Sequence, residues 1–161
     1  MINVEQTDKS IREILESNEV DTVIQSCNCF HIMQGPVSNT LNELTNGEVA
    51  LLDKSISPYG DINKLSDWTG KSYTVAGKEV DIFSLYTQYT LPSQGCETIH
   101  WVSIHDGLYD IIEGVESGSV VAIQNAGVDA ASSAEFIVLL SKLAKKYDND
   151  LPDVDVKVFD H

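Results

Sequence analysis

Basic residues are scarce in this chain. Its 161 residues include 10 Lys and Arg against 25 Asp and Glu, for a formal net charge of −15. So few cations give no electrostatic pull toward nucleic acid or an anionic membrane, and neither is expected as a partner. The plainer consequence of the acidity is solubility. Long apolar runs are missing too: none approaches the length of about 20 residues that spans a bilayer. The opening MINVEQTDKS has neither the basic region nor the apolar stretch of a secretory signal. Cysteine is rare and odd in number, at positions 27, 29 and 96. That count suits a reducing compartment and excludes a regular disulfide framework, so a cytoplasmic location is expected. Internal repeats, low-complexity tracts and linkers are absent, and so are G-x-S-x-G, P-loop and H-E-x-x-H motifs. No cofactor is expected. The length fits one domain spanning 1–161 with a sizeable core.

What is present alternates between two periods. Ile2–Gln6 and Thr22–Cys27 read as strands, the second built on the β-branched run Thr22, Val23 and Ile24. Between them Ile11, Ile14 and Leu15 line one side of a short helix in Ser10–Ser17. Val37–Leu44 and Val49–Lys54 are short helices, and 57–70 is loop-like, punctuated by Pro58, Gly60 and Gly70. Ser72–Ala76 and Val80–Tyr89 flank Gly77-Lys78 as a hairpin, and 91–97 is a loop. Trp101, Ile104, Leu108, Ile111, Ile112 and Val115 recur at helical spacing within 98–115. Val120–Ile123 is a short strand. Ser132, with Glu135 three residues on, has the spacing of a capping box for a last helix, and Val154–Phe159 is a final strand. Strands alternating with helices predict an α/β fold, a three-layer α/β/α sandwich with a mixed sheet.

Chemistry concentrates where strands run into helices. Asp21–Leu41, DTVIQSCNCFHIMQGPVSNTL, is a strand, a turn and then a helix. The free N–H groups and dipole of such a helix N-terminus attract anions, and ligands of α/β folds lie beyond the carboxyl ends of the strands. A second strand-to-helix loop, Gln124-Asn125-Ala126-Gly127-Val128-Asp129, could hold a diphosphate together with the first, without Lys or Arg. Cys27, Cys29 and His31 alternate along one side of a strand, but a fourth ligand and the wider loop spacing of zinc sites are missing. The two cysteines read as small packing residues, and no metal site is expected. His100 and His105 lie five apart and do not share a helical stripe. Trp101, Tyr86 and Tyr89 read as core aromatics before adenine-stacking ones.

Four segments carry a resemblance to a known family. Cys27-Asn28-Cys29-Phe30-His31-Ile32-Met33 resembles the first binding loop of macro domains, the ADP-ribose-binding modules, in the small phage and bacterial versions whose pattern runs C-N-C-F-x-x-M-G-x-G-I-A. Gln6-Thr7-Asp8 is similar to their Q-G-D, whose Asp binds the adenine amino group; a competing alignment pairs Arg12-Glu13-Ile14-Leu15 with the family's G-D-I-L, making Glu13 the alternative. Tyr59-Gly60-Asp61-Ile62-Asn63-Lys64-Leu65 and Ser84-Leu85-Tyr86-Thr87-Gln88-Tyr89 resemble the G-D-x-x-K-L and N-x-Y-T-Q-Y of phage-type members. Asn125 to Asp129 is similar to the second binding loop, I-G-x-G-L-D in one branch.

The resemblance implies a macro-like α/β fold that binds ADP-ribose or a related NAD-derived nucleotide. It implies ligand contacts at Asp8 or Glu13, Cys27, Asn28, Met33, Gln34, Gly35, Val37, Asn125, Ala126, Gly127 and Val128. Asn28 would meet the distal ribose, since a carboxamide donates and accepts at once. Asp129 falls on the catalytic Asp of the hydrolytic branch, with Asn28 beside it. The chemistry implied is hydrolysis of ADP-ribose 1″-phosphate or removal of ADP-ribose from a modified target. Lys78 is the nearest candidate for that branch's Lys, although a polar hairpin tip explains it better. A phage origin would place the protein in the host cytoplasm. The family's glycines are replaced by Gln34, Pro36 and Asn125. Pro36 suits the first turn of a helix, and Asn125 occupies a position where tolerance of the left-handed region would be useful. These departures define the alternative: a catalytically inactive macro-like protein that sequesters another nucleotide or binds a protein partner.

Overall fold

The computed structural model describes residues 1–33, 35–56, 58–89 and 99–161. Its centre is a six-stranded sheet in the order β1-β6-β5-β2-β4-β3. The strands are β1 (Ile2–Gln6), β2 (Thr22–Asn28), β3 (Trp68–Val75), β4 (Lys78–Gln88), β5 (Val120–Gln124) and β6 (Val154–Phe159). All neighbours run parallel except β3, which pairs antiparallel with β4 at the edge. The helices are α1 (Ile11–Glu16), α2 (Pro36–Leu44), α3 (Glu48–Ile56), α4 (Trp101–Glu113) and α5 (Ala130–Lys146), with a 3-10 turn at Ile62–Lys64. The expected mixed α/β architecture is observed.

The layers follow from the alternation of side chains along each strand. Ile24 on β2 and Val121 and Ile123 on β5 face a core built with Ile104, Leu108 and Ile112 of α4 and Phe136, Leu140 and Leu143 of α5. Val23 and Ala122, one position along, face the opposite core of Ile11, Ile14, Leu15, Val37, Leu41 and Val49. Helices α1 to α3 thus cover one face and α4 and α5 the other. Leu41 and Ile104 are fully buried. Truncating such a side chain to Ala costs about 2–5 kcal/mol. Helix α4 sits close on the sheet because Gly107 leaves room for it: a Cβ there would overlap Leu85 of β4.

Several boundaries differ from the sequence reading, each for a local reason. The hairpin turn is Ala76-Gly77, with φ of 51° and 81°, so Lys78 already belongs to β4. Two consecutive positive φ values are what a two-residue hairpin loop demands. The stretch 57–70 is not all loop: Asp61 caps the 3-10 turn through its side chain, and β3 begins at Trp68, where Gly70 lies against the Phe83 ring. Helix α5 opens at Asp129, one turn ahead of the predicted Ser132, which takes the third helical position instead. The loop expected at 91–97, with Cys96, lies outside the described residues.

Candidate functional site

Strands β2 and β5 are neighbours, yet the chain leaves them toward opposite faces. β2 feeds α2 on one side and β5 feeds α5 on the other. A crevice opens at the carboxyl ends of strands at such a switch point. Here the two strands part after the pair Ile24 and Ile123. Beyond that point the Gln124 side chain bridges the gap, its Oε1 accepting from the Ser26 amide at 2.8 Å. The crevice is therefore flanked by the first loop, 28–35, and the second, 125–129.

The first loop is closed by Asn28. Its register slips against β4 between Cys27 and Asn28, and the side chain is 3% exposed. Oδ1 accepts from the amides of Phe30 at 2.8 Å and Ile32 at 3.4 Å, and Nδ2 donates to the Ile32 carbonyl at 2.7 Å. The turn this builds puts His31 in the left-handed region, φ 58°. Asn28, expected to meet a ribose, thus spends its carboxamide on holding its own loop. The Phe30 ring is gripped edge-on by Tyr59 and Tyr89, with centroids 5.4 and 4.8 Å away. Tyr89 Oη also donates to the Gly60 carbonyl at 3.0 Å.

The loop then delivers the N-terminus of α2. Gly35 is its N-cap in extended backbone and supplies no side-chain cap, and Pro36 fills the first helical position. The first intrahelical bond, from the Asn39 amide to the Gly35 carbonyl, measures 2.9 Å. Among the described residues nothing accepts from the amides of Val37 and Ser38, although helix starts are normally satisfied by a cap, water or ligand. Gly35 has φ −83° and open space where a Cβ would project. Its smallness is therefore not a backbone requirement. Val37 is buried and Met33 half-buried in the α1–α3 core. Gln34 lies outside the described residues.

The second loop is the opposite case. Asn125 does not take the left-handed conformation; its contribution is its side chain. Oδ1 accepts from the Gly127 amide at 2.8 Å and Nδ2 donates to the Ser133 carbonyl at 3.1 Å. Ser132 Oγ accepts from the amides of Val128 at 2.9 Å and Asp129 at 3.1 Å. The amides of Gly127, Val128 and Asp129 are thus satisfied within the loop. Gly127 is needed here, because a Cβ would collide with the Ser133 backbone. Ala126 is buried and Val128 exposed. A cleft of about 550 Å³ opens beside this loop, lined by Gln6, Asn125, Val128, Asp129, Ile137 and Asp160 among others.

Asp129 caps α5. Its carboxylate accepts from the Ser132 amide at 2.8 Å and the Ser132 hydroxyl at 2.7 Å. These bonds, the backbone one first, hold its pKa below the ordinary 3.8. It is an ionised, weakly basic cap, and both of these bonds fall on its Oδ1. Lys78 is ruled out as its partner by position. It stands at the start of β4, at the other end of the sheet, ion-paired with Asp21 at 3.0 Å and donating to the Asn18 carbonyl at 3.2 Å.

The two candidate adenine partners separate cleanly. Glu13 closes the capping box of α1, accepting from the Ser10 amide at 3.3 Å and hydroxyl at 3.1 Å. Asp8 is exposed after β1, and among the described residues no group bonds its carboxylate. Cys27 lies under the site rather than in it, packed with Cys29 and Tyr86. Burial, with Asp53 nearby, pushes its thiol up to about 12.

The sequence reading missed a polar cluster beneath the first loop. Lys64 is 2% exposed. Its Nζ donates to the Cys29 carbonyl at 3.3 Å and stands 4.4 Å from the Tyr86 ring centroid. Tyr86 Oη donates to the buried Asp53. Burial lowers the Lys64 pKa, and Asp53 opposes the shift. The only signal was the match of Lys64 to G-D-x-x-K-L, which said nothing of its burial.

No family model matches the chain, and no curated protein does. Solved structures do. The macrodomain of Thermus aquaticus DarG is similar over 100% of both chains, with a TM-score of 0.62 at 11% identity. The Mycobacterium tuberculosis DarG macrodomain is similar over 100% of this chain and 98% of its own, with a TM-score of 0.60 at 16% identity. A Trypanosoma brucei macrodomain, solved in complex with ADP-ribose, is similar over 97% of this chain and 63% of its own, with a TM-score of 0.63 at 6% identity. The sheet, its helices and the strand-end crevice together are the macrodomain fold.

Proposed function

We propose that this protein binds ADP-ribose or a related NAD-derived nucleotide in the crevice between β2 and β5. The observation that carries the reading is the uncapped N-terminus of α2 opening onto that crevice. Its free amides and dipole suit a phosphate, and they can hold one without Lys or Arg in a chain of net charge −15. The similar T. brucei structure holds ADP-ribose. In this reading the diphosphate sits over Val37 and Ser38. Asp8, whose carboxylate no group bonds among the described residues, takes the adenine amino group. Asn28 holds the loop that faces the sugar, and Asn125 to Val128 form the opposite wall.

Binding without turnover is the form the geometry favours. Asp129 is tied into a helix cap, Lys78 is remote, and the amides of the second loop are already bonded. Hydrolysis of ADP-ribose 1″-phosphate, or removal of ADP-ribose from a modified target, would have to work through Oδ2 of Asp129, since Oδ1 holds the cap. Isothermal titration of ADP-ribose into the protein tests the reading. Saturable micromolar binding is expected, with inorganic pyrophosphate competing and adenosine alone binding at least 10-fold more weakly. Absence of heat at millimolar ADP-ribose would overturn it.

A further inference from the structure

The two helices that open at the crevice are fixed at their starts by different means. Helix α5 is held by its own cap: Asp129 accepts from the Ser132 amide, and Ser132 Oγ accepts from the amides of Val128 and Asp129. That arrangement secures the turn by occupying its donors. At α2, Gly35 supplies no side-chain cap and Pro36 has no N–H. Helix ends without a cap fray, so the position of this turn has to come from another source.

That source is the sheet. Gln25 lies mid-strand in β2 and is fully buried. Its carboxamide bridges two hydroxyls: Nε2 donates to Ser84 Oγ at 2.9 Å, and Oε1 accepts from Ser38 Oγ at 3.0 Å. Ser84 is the register partner of Gln25 on β4, and Ser38 is the third residue of α2. Both serines are buried as well. A carboxamide in an interior layer is costly unless bonded, and here both of its ends are. The chain of bonds therefore runs from two strands to the first turn of α2. It ends on the very residue whose backbone amide has no acceptor among the described residues. The Ser38 side chain is anchored inward while its amide stays open.

We infer that Gln25 is a positioning residue for the nucleotide site: through Ser38 it braces the first turn of α2 against β2 and β4, and so presents the Val37 and Ser38 amides to a diphosphate without consuming them. The inference rests on the nucleotide reading above. A cap of the α5 kind would hold the turn but fill its donors, whereas the brace leaves a fixed turn with free amides. Preorganisation of this kind lowers the ordering cost of binding. Without the brace, about one residue has to be ordered again when the ligand binds, which weakens affinity about 10-fold.

Two variants of the full chain remove the brace: Gln25→Met, which keeps the length without the carboxamide, and Ser38→Ala. Alanine raises helix propensity at position 38, so propensity cannot cause any fraying that this variant shows. Circular dichroism melts confirm that both fold. Amide hydrogen exchange reads the turn without ligand. Protection of the Asn39 amide, donor of the first α2 bond, should fall about 10-fold in both variants, while that of Ser133, its counterpart in α5, stays unchanged. Isothermal titration should show pyrophosphate and ADP-ribose weakened together, each about 10-fold. Ile112→Val, a destabilising change in the opposite core, should leave both affinities within about 2-fold. Wild-type Asn39 protection, wild-type affinity in both variants, or an equal loss in Ile112→Val would overturn the inference. A wild-type protein that binds neither ligand, with Asn39 protection still lost in the variants, would defeat the nucleotide reading and uphold the brace.

Discussion

Replacing Gly35 with Asp should strengthen the fold and abolish nucleotide binding together, a combination few other mechanisms produce. Gly35 is the N-cap of α2, with φ −83° and ψ 165°, backbone that any residue adopts, and nothing stands within 4 Å of a Cβ placed there. Asp is among the best N-cap residues, and the gain over Gly is a few tenths of a kcal/mol. In a chain of this size that raises Tm by about 1 °C. The new carboxylate would accept from the same α2 amides proposed to hold phosphate. A carboxylate about 5–6 Å from a bound phosphate, at an effective dielectric of about 20, repels it by about 3 kcal/mol per charge pair, or more than 100-fold in affinity. Gly35→Asn caps without the charge and should lose about 10-fold. Isothermal titration of ADP-ribose into the three proteins, with melts on the same samples, reads both quantities. Wild-type affinity in Gly35→Asp would refute the placement of the phosphate at α2, whatever the melts show.

Other outcomes follow from the same geometry. Asp129→Ala should lower Tm by about 2–4 °C through loss of the α5 cap while leaving ADP-ribose affinity within about 2-fold; a loss of binding above 10-fold would make Asp129 a ligand contact. Because the Asp129 pKa is lowered on folding from 3.8, its contribution is fully present above that pH and is lost as pH falls through the lower folded value. The Tm difference between wild type and variant should therefore shrink in acid titrations below pH 3.8. Gly127→Ala should destabilise by about 1–3 kcal/mol in urea denaturation, since the loop must move off the Ser133 backbone. Lys64→Met should cost about 3 kcal/mol by leaving Asp53 without its nearby cation, and adding Asp53→Asn should recover part of it.

Much of the architecture was legible in the sequence because local pattern and global fold agree. β1, with its bounds Ile2–Gln6, and the final strand Val154–Phe159 follow from alternating β-branched and polar residues, and the start of β2 at Thr22 from a β-branched run. Pro36 at the first turn of α2 follows from its fixed φ and missing N–H. The core faces of α4 and α5 follow from their 3.6-residue period. The resemblance of Cys27 to Met33 to a macro-domain loop pointed to the fold that the solved structures share.

What only the tertiary structure decided is how each polar group is used. Asn28, Asn125 and Asp129 are ligand or catalytic candidates through the family resemblance, and in the fold their side chains bond to Ile32, Gly127 and Ser132. Ser132 and Asp129 both have the composition of an N-cap, and the position of β5 decides which of them opens α5. Glu13 and Asp8 are equally acidic, and the α1 capping box engages one and leaves the other open. Lys64 looks like a surface lysine until Tyr86, Asp53 and the Cys29 carbonyl enclose it. A sequence states which donors and acceptors exist; which of them face a ligand depends on the partners that folding brings within about 3 Å.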